Sequence, residues 1–303
     1  MSDEFLPPQP IGFIGLGNMG APMASHLVAA GYRVLAADAD RATLDHFCSS
    51  APCERARTLT DLGRTCRLVI TMLPDGAAVR QVLLGEEGVA PGLVPGSVVL
   101  DMSSAEPLGT RELGRTLAAA GVSLVDAPVS GGVKRAIEGT LAIMAGGEPA
   151  AIARCGPVLA KLGRVFVSGA SGSGHAVKAL NNYLSAVALA ATAEAMLAGE
   201  RFGIEPATML AILNHSTGRN TATEQKYPAF VLPRSFNSGF ALGLMAKDLR
   251  TALGLAESLG TPSVLLTECA ALWSRAERRL GFGADNTEVV RYLEQSQEAD
   301  ADE

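Results

Sequence analysis

The run Gly15-Leu16-Gly17-Asn18-Met19-Gly20 has the glycine spacing of a turn that brings main chain close to a pyrophosphate. In that spacing Gly15 permits the tight turn, Gly17 lets the backbone approach the phosphates, and Gly20 lets the next helix lie close on the strand. The N-terminus of that helix offers N–H donors and a partial positive charge. Asp38 stands eighteen residues beyond Gly20, at the end of a second apolar run. A carboxylate there accepts from both ribose hydroxyls of an adenine dinucleotide and repels a 2′-phosphate, which favours NAD over NADP. Arg41 has the charge to serve a 2′-phosphate, so NADP stays open. A glycine turn alone is common, and a tight βα turn without a ligand is the ordinary alternative. The flanking strand, helix and acid tip the balance toward a dinucleotide.

A second group lies farther along. Lys178 and Asn182 are four residues apart, so on a helix of about 3.6 residues per turn they share a face, with Asn181 on its flank. An ammonium there can hydrogen-bond a carbonyl oxygen and deliver a proton as hydride reaches the carbon. Its neutral form can take the alcohol proton in the reverse direction. Ser130-Gly131-Gly132 follows an apolar strand. Its bare N–H groups and hydroxyl suit a nest for a carboxylate, or else make an ordinary turn. Of the four histidines, His26, His46, His175 and His215, none is assigned catalysis; His175, just ahead of Lys178, at most flanks a pocket. Cys48, Cys53, Cys66, Cys155 and Cys269 form no C-x-x-C pair and sit near no histidine cluster. All five are expected to be reduced and mostly packed, with no metal site.

Elements must position these groups. Short β-compatible runs at 11–14, 32–37, 68–73, 98–101, 123–126, 141–145 and 164–167 alternate with helical stretches through most of the first half. That order specifies an α/β fold with a doubly wound, mostly parallel sheet of Rossmann type. Beyond about residue 168 helical periodicity takes over, so an all-α domain follows, joined by a long interdomain helix over about 174–202 with Ser173 as its N-cap candidate. The expected division is a flexible extension 1–10, a dinucleotide-binding domain 11–170, a helical substrate and oligomerisation domain 171–293, and a disordered tail 294–303.

Composition narrows the function classes. The chain has 303 residues, 48% hydrophobic and 18% charged, with 25 Lys plus Arg against 31 Asp plus Glu. That is too apolar for disorder and too evenly charged for a nucleic-acid partner. The first ten residues lack the basic and apolar regions of a secretory leader, and the alanine-rich stretch 183–197 contains Glu194 and is too short to span a bilayer. A cytoplasmic protein with no membrane partner is expected.

With these motifs in hand the chain resembles the β-hydroxyacid dehydrogenase family, which includes 3-hydroxyisobutyrate dehydrogenase and tartronate semialdehyde reductase. The segments that carry the resemblance are Gly12-Phe13-Ile14 with the glycine turn, Asp101-Met102-Ser103-Ser104, Asp126-Ala127-Pro128-Val129-Ser130-Gly131-Gly132, Gly172-Ser173-Gly174-His175-Ala176-Val177-Lys178-Ala179-Leu180-Asn181-Asn182, and Lys247-Asp248-Leu249. The resemblance implies an NAD(P)-dependent oxidoreductase that interconverts a small β-hydroxy acid, 3-hydroxyisobutyrate-like, and its semialdehyde; tartronate semialdehyde is the alternative substrate. It implies Lys178 as acid and base, Asn182 as its orienting partner, and Ser130, Gly131 and Gly132 as the carboxylate cradle. Leu73, Pro74 and Lys247 would line the cofactor, Ser104 would touch cofactor or substrate, and Phe240 and Asp248 would approach the substrate. A homo-oligomer, dimer or tetramer, is implied by the way helical domains in the family embrace. Among relatives of the same fold, an imine reductase is disfavoured by Lys178, and a decarboxylating sugar-phosphate dehydrogenase by length and the lack of a basic phosphate clamp. A non-catalytic NAD(P)-binding relative would need a changed lysine position.

Overall fold

A computed structural model describes residues 4–301, with side chains described through residue 295. The chain divides into two compact units, Met1–Lys178 and Ala179–Glu303. The boundary lies a few residues beyond the expected division at 170, inside the long helix rather than in the small-residue stretch before it.

The first unit is built on nine strands: β1 (Pro10–Ile14), β2 (Arg33–Ala37), β3 (Glu54–Arg55), β4 (Leu68–Thr71), β5 (Val98–Asp101), β6 (Ser123–Asp126), β7 (Val129–Ser130), β8 (Leu141–Gly146) and β9 (Gly163–Gly169). They pair in the order β3-β2-β1-β4-β5-β6-β8-β7, with β9 on the free side of β8. From β3 to β6 every pairing is parallel, while β8 runs antiparallel to β6 and β7. The order reverses at β1, between β2 and β4, and the carboxyl ends there open the crevice where such sheets hold ligands.

Helices α1 (Gly20–Ala29), α2 (Arg41–Ser50), α3 (Leu59–Thr65), α4 (Gly76–Leu84), α5 (Pro107–Ala118), α6 (Gly132–Glu138) and α7 (Pro149–Leu159) connect the strands. Asp40, Thr58 and Asp75 cap α2, α3 and α4 with their side-chain oxygens, which fixes where these helices start. Side chains alternate across the sheet. Ile11, Phe13, Leu68, Ile70, Val98 and Leu100 join one buried cluster, and Ile14, Val69 and Val99 the other. Both faces are covered, so these strands read as continuous apolar runs rather than alternating ones.

Helix α8 (Ser173–Phe202) begins in the first unit and continues as the opening helix of the second. There follow α9 (Pro206–Asn214), a π-helical segment (Ala222–Val231), α10 (Leu242–Ser258), α11 (Val264–Leu280) and α12 (Val289–Ala301). Trp273, Leu249, Leu242, Ala186, Leu189 and Ala193 make the fully buried centre of this unit. No described helix is long and apolar enough to cross a membrane.

Several expectations need correction. The two-residue strands β3 and β7 lack the apolar run that marked the others. Within the extension expected to be flexible, Phe5 is buried; its N–H donates to the Arg154 carbonyl at 3.0 Å, and the Tyr32 hydroxyl donates to its carbonyl at 2.9 Å. Of the tail expected to be disordered, residues through Ala301 belong to α12, and 302–303 lie outside the described residues, as do 1–3. Ser173 does not cap α8 from outside but is its first residue, with its hydroxyl on that of Ser168 at 2.8 Å. Cys48 and Cys53 are joined as a disulfide, their Cα atoms 5.4 Å apart where the chain turns back after α2. The remaining cysteines fit the expectation: Cys66, Cys155 and Cys269 are buried thiols, each pushed up to about 12 by burial.

Candidate active site

At the end of β1 the glycine turn takes the shape its spacing demands. Gly15 sits at φ +97°, and a Cβ there would strike the Met72 carbonyl and the Leu73 side chain, so the turn lies directly on the segment after β4. A Cβ on Gly20 would meet the Gly15 carbonyl, which is why α1 can start so close to the strand. Gly17 by contrast faces open space. Helix α1 has no side-chain cap and no acid in its first turn, leaving its N–H groups for an anion. This cradle fits the diphosphate of a dinucleotide.

Asp38, just past β2, is anchored to the same turn. Its Oδ2 accepts from the Leu16 N–H at 2.6 Å, and its Oδ1 from the Asp40 N–H at 2.8 Å. Each oxygen keeps a lone pair for a ribose hydroxyl. Beside it opens a cleft of about 750 Å³ lined by Asp38, Arg41, Leu44, Arg55 and Arg57 among others. Arg41 and Arg55 both lean on Asp45, at 3.9 and 3.0 Å. The sequence pointed to Arg41 alone; Arg55 and Arg57 arrive through β3, which it did not show.

Past β7, Gly131 and Gly132 have φ of +133° and +66°, with open space beside Gly132 and the aliphatic part of Arg135 against Gly131. Two successive positive φ values turn the backbone there in a way side-chain-bearing residues rarely adopt.

A buried polar network missed by sequence reasoning ties these loops to α8. Asp101, ending β5, accepts through Oδ1 from the Thr71 hydroxyl at 2.9 Å and the Ser103 N–H at 3.0 Å. The Ser103 hydroxyl accepts from the Leu73 N–H at 2.9 Å. His175 Nε2 faces the Ser103 carbonyl at 3.2 Å and Asp101 Oδ2 at 3.7 Å, both acceptors, so this nitrogen carries its proton. Its Nδ1 lies 2.7 Å from the Thr110 hydroxyl. Asp126, ending β6, accepts from the Gly172 and His175 N–H groups at 2.7 and 3.1 Å, fixing the entry to α8. Burial pushes the Asp126 carboxyl up, against the field of His175 and these N–H donors. The available signal was an acid closing each of two apolar strands, Leu100-Asp101 and Val125-Asp126.

On α8, Lys178 is only 9% exposed and Asn182 only 5%, so their shared face is turned inward. Asn182 donates from Nδ2 to Asp248 Oδ2 at 2.5 Å, and its Oδ1 accepts from Asn181 Nδ2 at 3.1 Å. Asp248, on α10, pairs through Oδ1 with Lys247 Nζ at 3.1 Å. The second unit therefore gathers Asn182, Asp248 and Lys247 into one chain of contacts. Phe240 is half-buried against the helical core, and its carbonyl accepts from both the backbone and the side-chain N–H of Asn286, at 2.8 and 2.9 Å. Leu73, Pro74 and Ser104 stand just past the carboxyl ends of β4 and β5. No cluster of metal-ligating side chains exists among the described residues.

A glycine turn on a doubly wound sheet, an acid just past its second strand and a long helix carrying an inward-turned lysine into a helical unit fit an NAD(P)-dependent dehydrogenase. Residues 10–188 match the NAD binding domain of 6-phosphogluconate dehydrogenase, and residues 172–293 the NAD-binding domain of NADP-dependent 3-hydroxyisobutyrate dehydrogenase. The 2-(hydroxymethyl)glutarate dehydrogenase of Eubacterium barkeri is 36% identical over 94% of this chain and 95% of its own. The NAD-dependent L-serine dehydrogenase of Pseudomonas aeruginosa is 36% identical over 93% and 97%. The solved 3-hydroxyisobutyrate dehydrogenase of Mycobacterium tuberculosis with L-serine superposes with a TM-score of 0.87 at 31% identity, covering 94% of this chain and 99% of that one. The chain belongs to the β-hydroxyacid dehydrogenase family of 3-hydroxyisobutyrate dehydrogenase type, NAD(P)-dependent oxidoreductases that act on a CH–OH group.

Proposed function

We propose that the protein interconverts a small β-hydroxy acid of the 3-hydroxyisobutyrate kind and its semialdehyde, with NAD preferred over NADP. The observation that carries this reading is the inward face of α8, where Lys178 lies one turn from an Asn182 held by Asp248. A bound nicotinamide dinucleotide supplies the hydride acceptor. Lys178 in its neutral form takes the proton of the substrate hydroxyl, and as an ammonium returns it to the carbonyl oxygen in reduction. Asn182, with one N–H fixed on Asp248, keeps its second N–H for the same oxygen. Ser130, Gly131 and Gly132 take the substrate carboxylate, and Ser104 and Phe240 are assigned to the substrate on the resemblance. Lys247, paired with Asp248, is assigned to the cofactor on the resemblance, as are Leu73 and Pro74. Gly15, Leu16, Gly17, Asn18, Met19 and Gly20 take the diphosphate, and Asp38 the ribose.

The relatives' names favour the acid class over any one member of it, since 2-(hydroxymethyl)glutarate and L-serine both carry a hydroxymethyl group on the carbon next to a carboxylate. The test is NADH formation over a panel of such acids with Lys178→Ala alongside. Turnover should vanish in the variant while NAD still binds; a variant that keeps turnover rejects the role of Lys178.

A homo-oligomer is part of the proposal. Val177, Leu180 and Leu184 are 42, 42 and 66% exposed and follow one face of α8 at helical spacing, an apolar stripe suited to a second copy.

A further inference from the structure

Cys48 and Cys53, five residues apart, are bonded across the turn that leads from the end of α2 to β3, their Cα atoms 5.4 Å apart. Both are half-buried, whereas Cys66, Cys155 and Cys269 are buried thiols. The bonded pair is therefore the sulfur that a reductant in solution meets first.

The bond fastens a weak segment to a firm one. Strand β3 is two residues long, lies at the edge of the sheet and has both side chains exposed. It pairs with β2 only at Glu54 and Arg55, and its ion pairs, Arg33 with Glu54 at 2.9 Å and Arg55 with Asp45 at 3.0 Å, are open to water. Exposed pairs of this kind hold a chain weakly. The chain packs inward again at Ala56 and Leu59. A short exposed edge segment is where a fold opens locally at least cost. Helix α2, by contrast, is anchored by the buried Phe47.

Arg55, two residues past Cys53, and Asp45, three before Cys48, both line the cleft of about 750 Å³ beside Asp38. The disulfide and the Asp45–Arg55 ion pair run side by side between α2 and β3, and together they set where the Arg55 guanidinium stands in that wall. A guanidinium in the wall of an adenosine pocket stacks on the base or meets a phosphate, and both contacts depend on where its plane lies.

We propose that Cys48 and Cys53 form a thiol–disulfide switch on the adenosine end of the cofactor site: the bonded form holds Arg55 in the cleft wall and binds the dinucleotide more tightly than the reduced form. The inference rests on the proposed placement of the ribose at Asp38, and deepens it by naming a control on that site. In reduction, one thiolate of a soluble dithiol attacks one sulfur of the pair, and the other leaves as a thiolate and takes a proton. The second sulfur of the dithiol then displaces the protein from the mixed disulfide. Two electrons pass to the protein, Cys48 and Cys53 end as thiols, and the dithiol ends as a cyclic disulfide.

The experiment titrates NADH by fluorescence against the protein treated with oxidised glutathione and against the protein treated with dithiothreitol. Alkylation of the unfolded chain and mass spectrometry count the thiols, three expected in the bonded form and five in the reduced one. Reduction should raise the Kd of NADH on the order of threefold to tenfold, as the fraction of molecules with β3 in place falls. ADP-ribose, followed by calorimetry, should lose as much, while reduced nicotinamide mononucleotide, which lacks adenosine, should lose nothing. Cys48→Ser and Cys53→Ser should bind like the reduced form under both treatments. Arg55→Met should bind weakly with the bond intact, and reduction should cost it little more. If a serine variant does not fold, the unaltered protein under the two treatments still decides. Five thiols after oxidation, equal Kd values in the two forms, or a response that survives in Cys48→Ser overturns the proposal. A loss shared by the mononucleotide also overturns it, since the effect would then not belong to the adenosine end. Asp38→Ala separates the underlying reading: a Kd of NADH indifferent to it removes the ribose from Asp38, while the ratio between bonded and reduced forms still judges the switch.

Discussion

Among single residues, Asp38 carries two duties that pull a substitution in different directions. It braces the Leu16 N–H of the glycine turn, and in its proposed role its remaining lone pairs go to the ribose. Asp38→Ser should weaken NAD and, with Arg41, Arg55 and Arg57 beside the cleft, admit NADP. The ratio of kcat/KM for the two cofactors is expected to move by on the order of tenfold to a hundredfold, which is about 1.4 to 2.8 kcal/mol. An unchanged ratio would remove Asp38 from cofactor choice. Lys178→Ala should lower kcat by at least about a hundredfold, the usual worth of a general acid or base, as read by steady-state rates beside a fluorescence titration of NADH. Lys226 adds a pH signature. Burial lowers its ammonium from the ordinary 10.5 to about 8, so the folded protein binds this proton less readily than the unfolded chain does. Its penalty is full below about pH 8 and fades as pH rises toward 10.5. The stability of Lys226→Met relative to the unaltered protein should therefore be higher at pH 7 than in alkali, as followed by urea unfolding at several pH values.

At the scale of elements, the entry to α8 decides whether the lysine is delivered. Its first turn is clamped by Asp126 and by His175, which reaches the loop after β5. His175→Leu keeps the volume but leaves the Thr110 hydroxyl and the Ser103 carbonyl without this partner. A loss of about 1–3 kcal/mol in stability is expected, chiefly from the Ser103 carbonyl, since the Thr110 hydroxyl keeps the Glu106 carbonyl at 3.0 Å, and a fall in kcat larger than any change in the Kd of NADH would mark a positioning role. Gly20→Ala belongs to the same scale. Its methyl meets the Gly15 carbonyl, and the shift it forces should raise the KM of NAD while the substrate KM holds. Much of this was legible beforehand. Short apolar runs closed by Asp, as at 98–101 and 124–126, mark strand and end together, and the glycine spacing marks the turn between β1 and α1. The α8 pair was visible because helical periodicity alone puts residues four apart on one face. What stayed hidden depends on tertiary neighbours. Glu54 and Arg55 become a strand only because β2 offers an edge, His175 matters only because β5 and α5 meet it, and Lys226 only because a segment forty residues on folds back to Ser185.

For the whole molecule, the exposed stripe on α8 sets the expected assembly. Light scattering should give the mass of a dimer or tetramer, and Leu184→Glu should shift it toward the single chain by placing a charge in an apolar contact. A monomer in the unaltered protein would contradict this. The two ends of the sheet differ as well. One end is β3, two charged residues long; the other is β9, seven residues long, with Phe166 and Val167 47 and 67% exposed and the Arg164 guanidinium over the Phe166 ring at 4.9 Å. A long apolar rim with unpaired backbone groups invites chains emerging from denaturant to stick to one another, and a single arginine is a thin guard against it. Replacing Val167 with lysine should thus raise the yield recovered on dilution from urea, and lower turbidity at high protein concentration, while leaving turnover per active molecule as it was.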